Sequence, residues 1–205
     1  MNRLKVFHIV IVSLFILSSQ GLTSPPPPVA KCGVERWAVK TCSDKNAGSL
    51  FKVNGDLKKP RKTTIAKLID YDYPFEHVGS LPKWSYTERI PPVETSIWVL
   101  EATMTDYKLE DDRDYHIVLE DEEGFNLVAE IPNPSCVATK TLIHEMIDKA
   151  RDDFNNRFQP TAKFKSTNVK VRVTGVGFFD KIHGQKGVAD NGVEIHPVLK
   201  IEFLD

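Results

Sequence analysis

From Ser96 to Ile131 apolar and polar positions alternate with the period of two that a half-buried strand requires. Trp98, Leu100, Ala102 and Met104 interleave with Val99, Glu101, Thr103 and Thr105, which predicts one long strand. An acidic turn follows, Glu110-Asp111-Asp112-Arg113-Asp114. Tyr115 to Asp121 and Phe125 to Ile131 predict two more strands, joined by Glu122-Glu123-Gly124. A three-residue connection ending in glycine suits a type I turn with a left-handed bulge. That turn sets Ile117 opposite Ala129 and Leu119 opposite Leu127 on one face, and His116 opposite Glu130 on the other. Pro132 and Pro134 end the pairing.

The period then changes. Leu142, Ile143, Met146, Ile147, Ala150 and Phe154 recur at helical spacing, with Thr141 as N-cap and Pro160 beyond the end. Val169, Val171 and Val173, alternating with Lys170, Arg172 and Thr174, predict a fourth strand. Ile195, Leu199, Ile201 and Phe203 predict a fifth.

The result is a mainly β fold with one helix (α+β), in the order β-β-β-α-β-β. That is the element order of a five-stranded OB-type barrel, whose helix plugs the barrel bottom. The expected barrel spans residues 94–205, and an α+β sandwich is the alternative. Residues 32–93 lack periodicity and are expected to pack on the barrel as an irregular extension. Within them, Arg36 to Thr41 suggests a short strand, and Thr64 to Ile69 a short helix or extended segment. Lys58, Lys59, Arg61 and Lys62 suggest a solvated basic loop.

The first residues read as an export signal over 1–21: Arg3 and Lys5, then an apolar run from Val6 to Leu17, then small residues up to Gly21. The run is shorter than the ~20 residues a spanning helix needs. The expectation is therefore cleavage near Gly21, no membrane anchoring afterwards, and a secreted or periplasmic protein. Pro25 to Pro28 make a polyproline spacer over 22–31. Losing Arg3 and Lys5 takes the net charge from −1 to −3, so no global field draws in polyanions. The size fits one domain, expected to be a monomer.

Cys32, Cys42 and Cys136 suit one disulfide and one free thiol in an oxidising compartment. Cys32–Cys42 would be a local staple, and Cys32–Cys136 would close a loop of about a hundred residues. Both remain open on spacing alone.

Candidate chemistry gathers near the end of the chain. Gly175, Gly177, Gly184, Gly187 and Gly192 punctuate residues 175–192, expected to be a ligand-gripping loop between the last two strands. Phe178 would offer a stacking face there, with Asp180, His183, Gln185 and Asn191 as polar contacts and His196 just beyond. Histidine and carboxylate also fall in pairs: Asp180 with His183, Glu194 with His196, and His116 with Glu130. A metal site needs three or four convergent ligands, and H-E-x-x-H is absent. No metal or other cofactor is therefore expected, and His116 with Glu130 reads as a surface pair. No nucleophile elbow, Walker loop or dinucleotide fingerprint is present.

The strings CGVERWAVKT, DYHIVLEDEEGFNLVAEIPNPSC and VRVTGVGFFDKIHGQKGVADNGVEIHPVLKIEF resemble a family of exported, mainly bacterial proteins. The resemblance covers most of the chain after the signal and carries no activity with it. It implies pairing of Cys32 with Cys136 and leaves Cys42 free. It also implies that Asp180, His183, Gln185, Glu194 and His196 matter for fold or function.

The leading expectation is a non-enzymatic binding module that holds an extracellular oligonucleotide or oligosaccharide through the 175–192 loop. The alternative is a metal-assisted hydrolase, such as a phosphodiesterase or nuclease, working through Asp180, His183, Glu194 and His196. A structural or interaction protein is the third possibility.

Overall fold

The structure, a computed structural model, describes residues 31–33, 35–76 and 80–204. The expected signal peptide and nearly all of the proline-rich spacer lie outside the described residues. Six strands form one sheet: β1 (Arg61–Lys62), β2 (Ile97–Leu109), β3 (Tyr115–Glu120), β4 (Asn126–Ile131), β5 (Lys165–Phe179) and β6 (Val193–Phe203). Helices are few: α1 (Trp37–Lys40), α2 (Ile65–Ile69) and α3 (Leu142–Asn155), with short 3-10 turns between elements. Among the described residues, no helix is long and apolar enough to cross a membrane.

The sheet runs β1-β2-β3-β4-β6-β5, and β2 also pairs with β5. Five strands, β2 to β6, thus close into a ring. β2 does this by serving two neighbours, aided by a register shift between Met104 and Asp106 that bends it. The β4–β6 contact is parallel, setting Val128 against Glu194 and Ala129 against Ile195. The β3–β4 hairpin has the expected register, including His116 opposite Glu130. Its turn closes with Gly124 at φ 87°.

Met104, Ile117, Leu119, Leu127, Ala129, Val173 and Ile201 belong to one buried core with Ile143, Ile147, Ala150 and Phe154 of α3. Thr141 caps α3 by accepting from His144 N at 3.1 Å. Phe154 sits among Tyr107, Tyr115, Phe158 and Phe203, so the C-terminal half of α3 covers the ring where β2 turns into β3.

Several expectations need correction. Arg36 to Thr41 is a helical turn, not a strand. β5 runs on through Phe179, so the connection to β6 is shorter than 175–192. Gly175 and Gly177 are strand residues at which chain segments approach closely. A Cβ on Gly177 would lie 2.6 Å from Val93 O and 2.8 Å from Trp98 Nε1. Arg61 and Lys62 form β1, parallel to the start of β2, though they stay exposed.

Candidate functional site

The face of the β3–β4 hairpin that carries His116 and Glu130 is not solvated. The 180–192 connection lies across it: His116 Nε2 donates to Lys186 O at 2.9 Å, and a Cβ on Gly187 would meet the Val118 side chain. Over the adjoining edge comes the segment from Lys31 to Ser43, which the Cys32–Cys136 disulfide holds in place, with Cα atoms 5.6 Å apart. The Trp37 indole donates to Cys136 O at 3.1 Å. Cys42 is free. His116 and Glu130 are therefore buried, which corrects their reading as a surface pair.

Arg36 fixes the covering segment from below. It is fully buried, pairs with Glu94, and also donates to the carbonyls of Ser85, Glu88 and Phe179. Its guanidinium lies 4.6 Å from the centre of the Phe178 ring. That ring is wholly buried, so Phe178 is no stacking face for a ligand. Asn191 is structural as well. Its side chain donates to the carbonyls of Leu68 and Tyr71 and accepts from Val193 N.

Between these layers lies a cavity of about 440 Å³. Trp37, Lys40, Glu110, Glu130, Asp180 and His183 are among its lining residues, and Gln185 also reaches it. Beneath it the three expected pairs join. Glu130 is the hub: Oε1 lies 3.2 Å from His116 Nδ1, and Oε2 lies 3.1 Å from His196 Nδ1. Glu194 Oε1 accepts from His196 Nδ1 at 3.2 Å. Lys40 Nζ lies 3.5 Å from Asp180 Oδ2 and 3.9 Å from Glu194 Oε1. His183 Nε2 is 4.0 Å from Asp180 Oδ2, at the exposed edge.

The proton affinities follow from this crowding. Burial would lower Lys40, but Asp180, Glu194, Glu130 and Asp114 together hold it above its usual value. Burial likewise opposes His196, yet its carboxylate partners Glu130 and Glu194 lift it to about 9. Glu130 is held well below the carboxylate range, because His116 and His196 outweigh its burial. Burial and the nearby Asp180 push Glu194 up to about 7, and burial pushes Asp114 to about 7.

Lys40, which carried no signal in the sequence, belongs to this site, as do Glu110 and Asp114 of the acidic turn. Asp114 points inward, 1% exposed, and its Oδ1 accepts from Asn133 N at 2.7 Å. Among the described residues two triads could hold a cation, each with one ligand atom per residue within 4.8 Å of the others: Glu110–His116–Glu130 and Asp114–Glu130–His196. Asp180 and Glu194, which the alternative metal-assisted reading would join with His183 and His196, have the Lys40 ammonium between them.

No protein-family model matches this chain, and no curated protein matches it in sequence.

Proposed function

We propose that the chain is an exported hydrolase that cleaves a phosphodiester polymer outside the cytoplasm, on an OB-type barrel. The barrel reading is supported by the closed order β2-β3-β4-β6-β5, the parallel β4–β6 contact and the helix between β4 and β5. Export is supported by the leader-like opening and by the disulfide.

One observation carries the hydrolase reading. Distant segments bring Lys40, Asp114, His116, Glu130, Asp180, Glu194 and His196 within ionic reach of one another, at a cavity. Burying such ions costs several kcal/mol each before their mutual attraction is counted, and apolar residues would stabilise the fold as well or better. Chemistry is the usual reason to keep them. A mere binding surface has less need of them, and the aromatic face it would have used is inside the protein.

In the proposed reaction a cavity water attacks phosphorus and gives its proton to the Asp180 carboxylate. The bond from phosphorus to the leaving oxygen breaks, and His183 as imidazolium protonates that oxygen. Lys40, aimed into the cavity, offsets the charge that develops on the phosphoryl oxygens.

Incubation of the mature, disulfide-bonded protein with labelled DNA and RNA oligonucleotides and with cell-wall glycans tests this. Cleavage of a nucleic acid supports it. Saturable binding without cleavage, or cleavage of the glycan alone, overturns it.

A further inference from the structure

We propose that Asp114, Glu130 and His196 bind a single divalent cation of the zinc or manganese class under the cavity. Asp114 Oδ2 and His196 Nε2 face each other at 3.7 Å, too far apart to hydrogen-bond. Among the described residues neither atom has a hydrogen-bond partner, although both residues are only 1% exposed. Leaving such buried atoms unpaired is costly to the fold. Two ligands bonded to one metal at about 2.0–2.2 Å lie roughly 3.0–3.6 Å apart. A shift of a few tenths of an ångström therefore brings the 3.7 Å separation to that of a coordination edge.

The remaining atoms of both residues are already committed. His196 Nδ1–H donates to Glu194, so Nε2, whose proton a bound metal would replace, is the nitrogen turned to the gap, as second-sphere carboxylates arrange for metal-binding histidines. Asn133 N holds Asp114 Oδ1, so Oδ2 alone is left to coordinate. Glu130 is the third residue of the triad; its Oε2 lies 3.1 Å from His196 Nδ1, and the residue also lines the cavity.

Charge points the same way. Lys31, Lys40 and Lys108 line the cavity against six carboxylates, those of Glu35, Glu110, Asp111, Asp112, Glu130 and Asp180. A polyanion entering there needs a further positive charge. One imidazole with two carboxylates suits zinc or manganese, whereas calcium takes six to eight oxygen ligands. The inference rests on the hydrolase reading for this charge argument and for the cation's role, which is to polarise the attacking water; the unpaired Asp114 and His196 atoms stand without it.

The test is cation binding by the intact secreted protein, stripped with chelator and dialysed against Zn²⁺, Mn²⁺ or Ca²⁺. One Zn²⁺ or Mn²⁺ per chain is expected, with a rise in melting temperature that Asp114→Asn reduces at least tenfold in cation affinity. If Asp114→Asn fails to fold, anomalous scattering from wild-type crystals soaked in Mn²⁺ or Zn²⁺ decides, with the peak expected between Asp114 Oδ2 and His196 Nε2. No bound cation, binding of Ca²⁺ alone, a peak elsewhere, or unchanged affinity in Asp114→Asn overturns the inference. Cation binding without hydrolysis removes the hydrolase and leaves this site standing. Hydrolysis by the stripped protein keeps the hydrolase and removes the cation's role in it.

Discussion

Arg36 and Glu94, 58 residues apart in sequence, form a two-pronged ion pair in the interior: Nη1 to Oε1 at 2.5 Å and Nη2 to Oε2 at 2.7 Å. Neither side chain is exposed. Glu94 also accepts from the backbone N–H groups of Ile90 and Phe179. The pair therefore ties α1, the segment before β2 and the end of β5 into one unit. Trp37, next to Arg36, and Lys40, one helical turn along, stand on that unit.

Removing one partner of such a pair strands the other charge. Arg36→Met should lower unfolding stability by about 3–5 kcal/mol in urea titration. A loss under ~1 kcal/mol would mean that the segment is held by the disulfide and packing alone.

The covalent tie has its own signature. Burial holds the Cys42 thiol up near 11 despite the Arg89 guanidinium beside it. At pH 8 the native protein should alkylate at Cys42 roughly a hundredfold more slowly than the unfolded chain, because the thiolate is the reactive form. Mass mapping without reduction should link the Cys32 and Cys136 peptides. Rapid native labelling at Cys42, or any label on Cys32 or Cys136, would contradict this.

Gly177→Ala should destabilise the protein by ~1–3 kcal/mol through overpacking. The added methyl would press on the hydrogen bond from Trp98 Nε1 to Val93 O, 2.9 Å long. Thermal melts would show it, and an unchanged melting temperature would mean that β5 can shift away from β2 at no cost.

These contacts explain what the sequence made legible. Alternation around Trp98 to Met104, the turn at Gly124 and the cap at Thr141 are local signals, and each produced the element expected of it. The glycines at 175 and 177 looked like loop punctuation because close approach of another segment of the chain leaves no periodic trace. The site was half legible. Its histidines and carboxylates stood out by type and pairing, but their meeting at Glu130 depends on the parallel β4–β6 contact. Lys40 and the covering segment come from a stretch without periodicity, so the hairpin's outer face looked solvent-facing. One signal was available: Val118 and Val128 make the hairpin strands apolar on both faces, as strands covered on both sides are.

The central claim is that the cavity is a hydrolytic site, and Asp180→Asn tests it most directly. The change keeps the shape of a residue that is buried, lines the cavity and leaves Oδ1 without a hydrogen-bond partner among the described residues. The measurement is kcat for oligonucleotide cleavage by wild type and variant, each confirmed folded by its melting curve. The account predicts cleavage by the wild type and a loss of about 10²–10⁴-fold in kcat for the variant, the range for removing a general base. No cleavage by the wild type, or equal cleavage by Asp180→Asn, would contradict it.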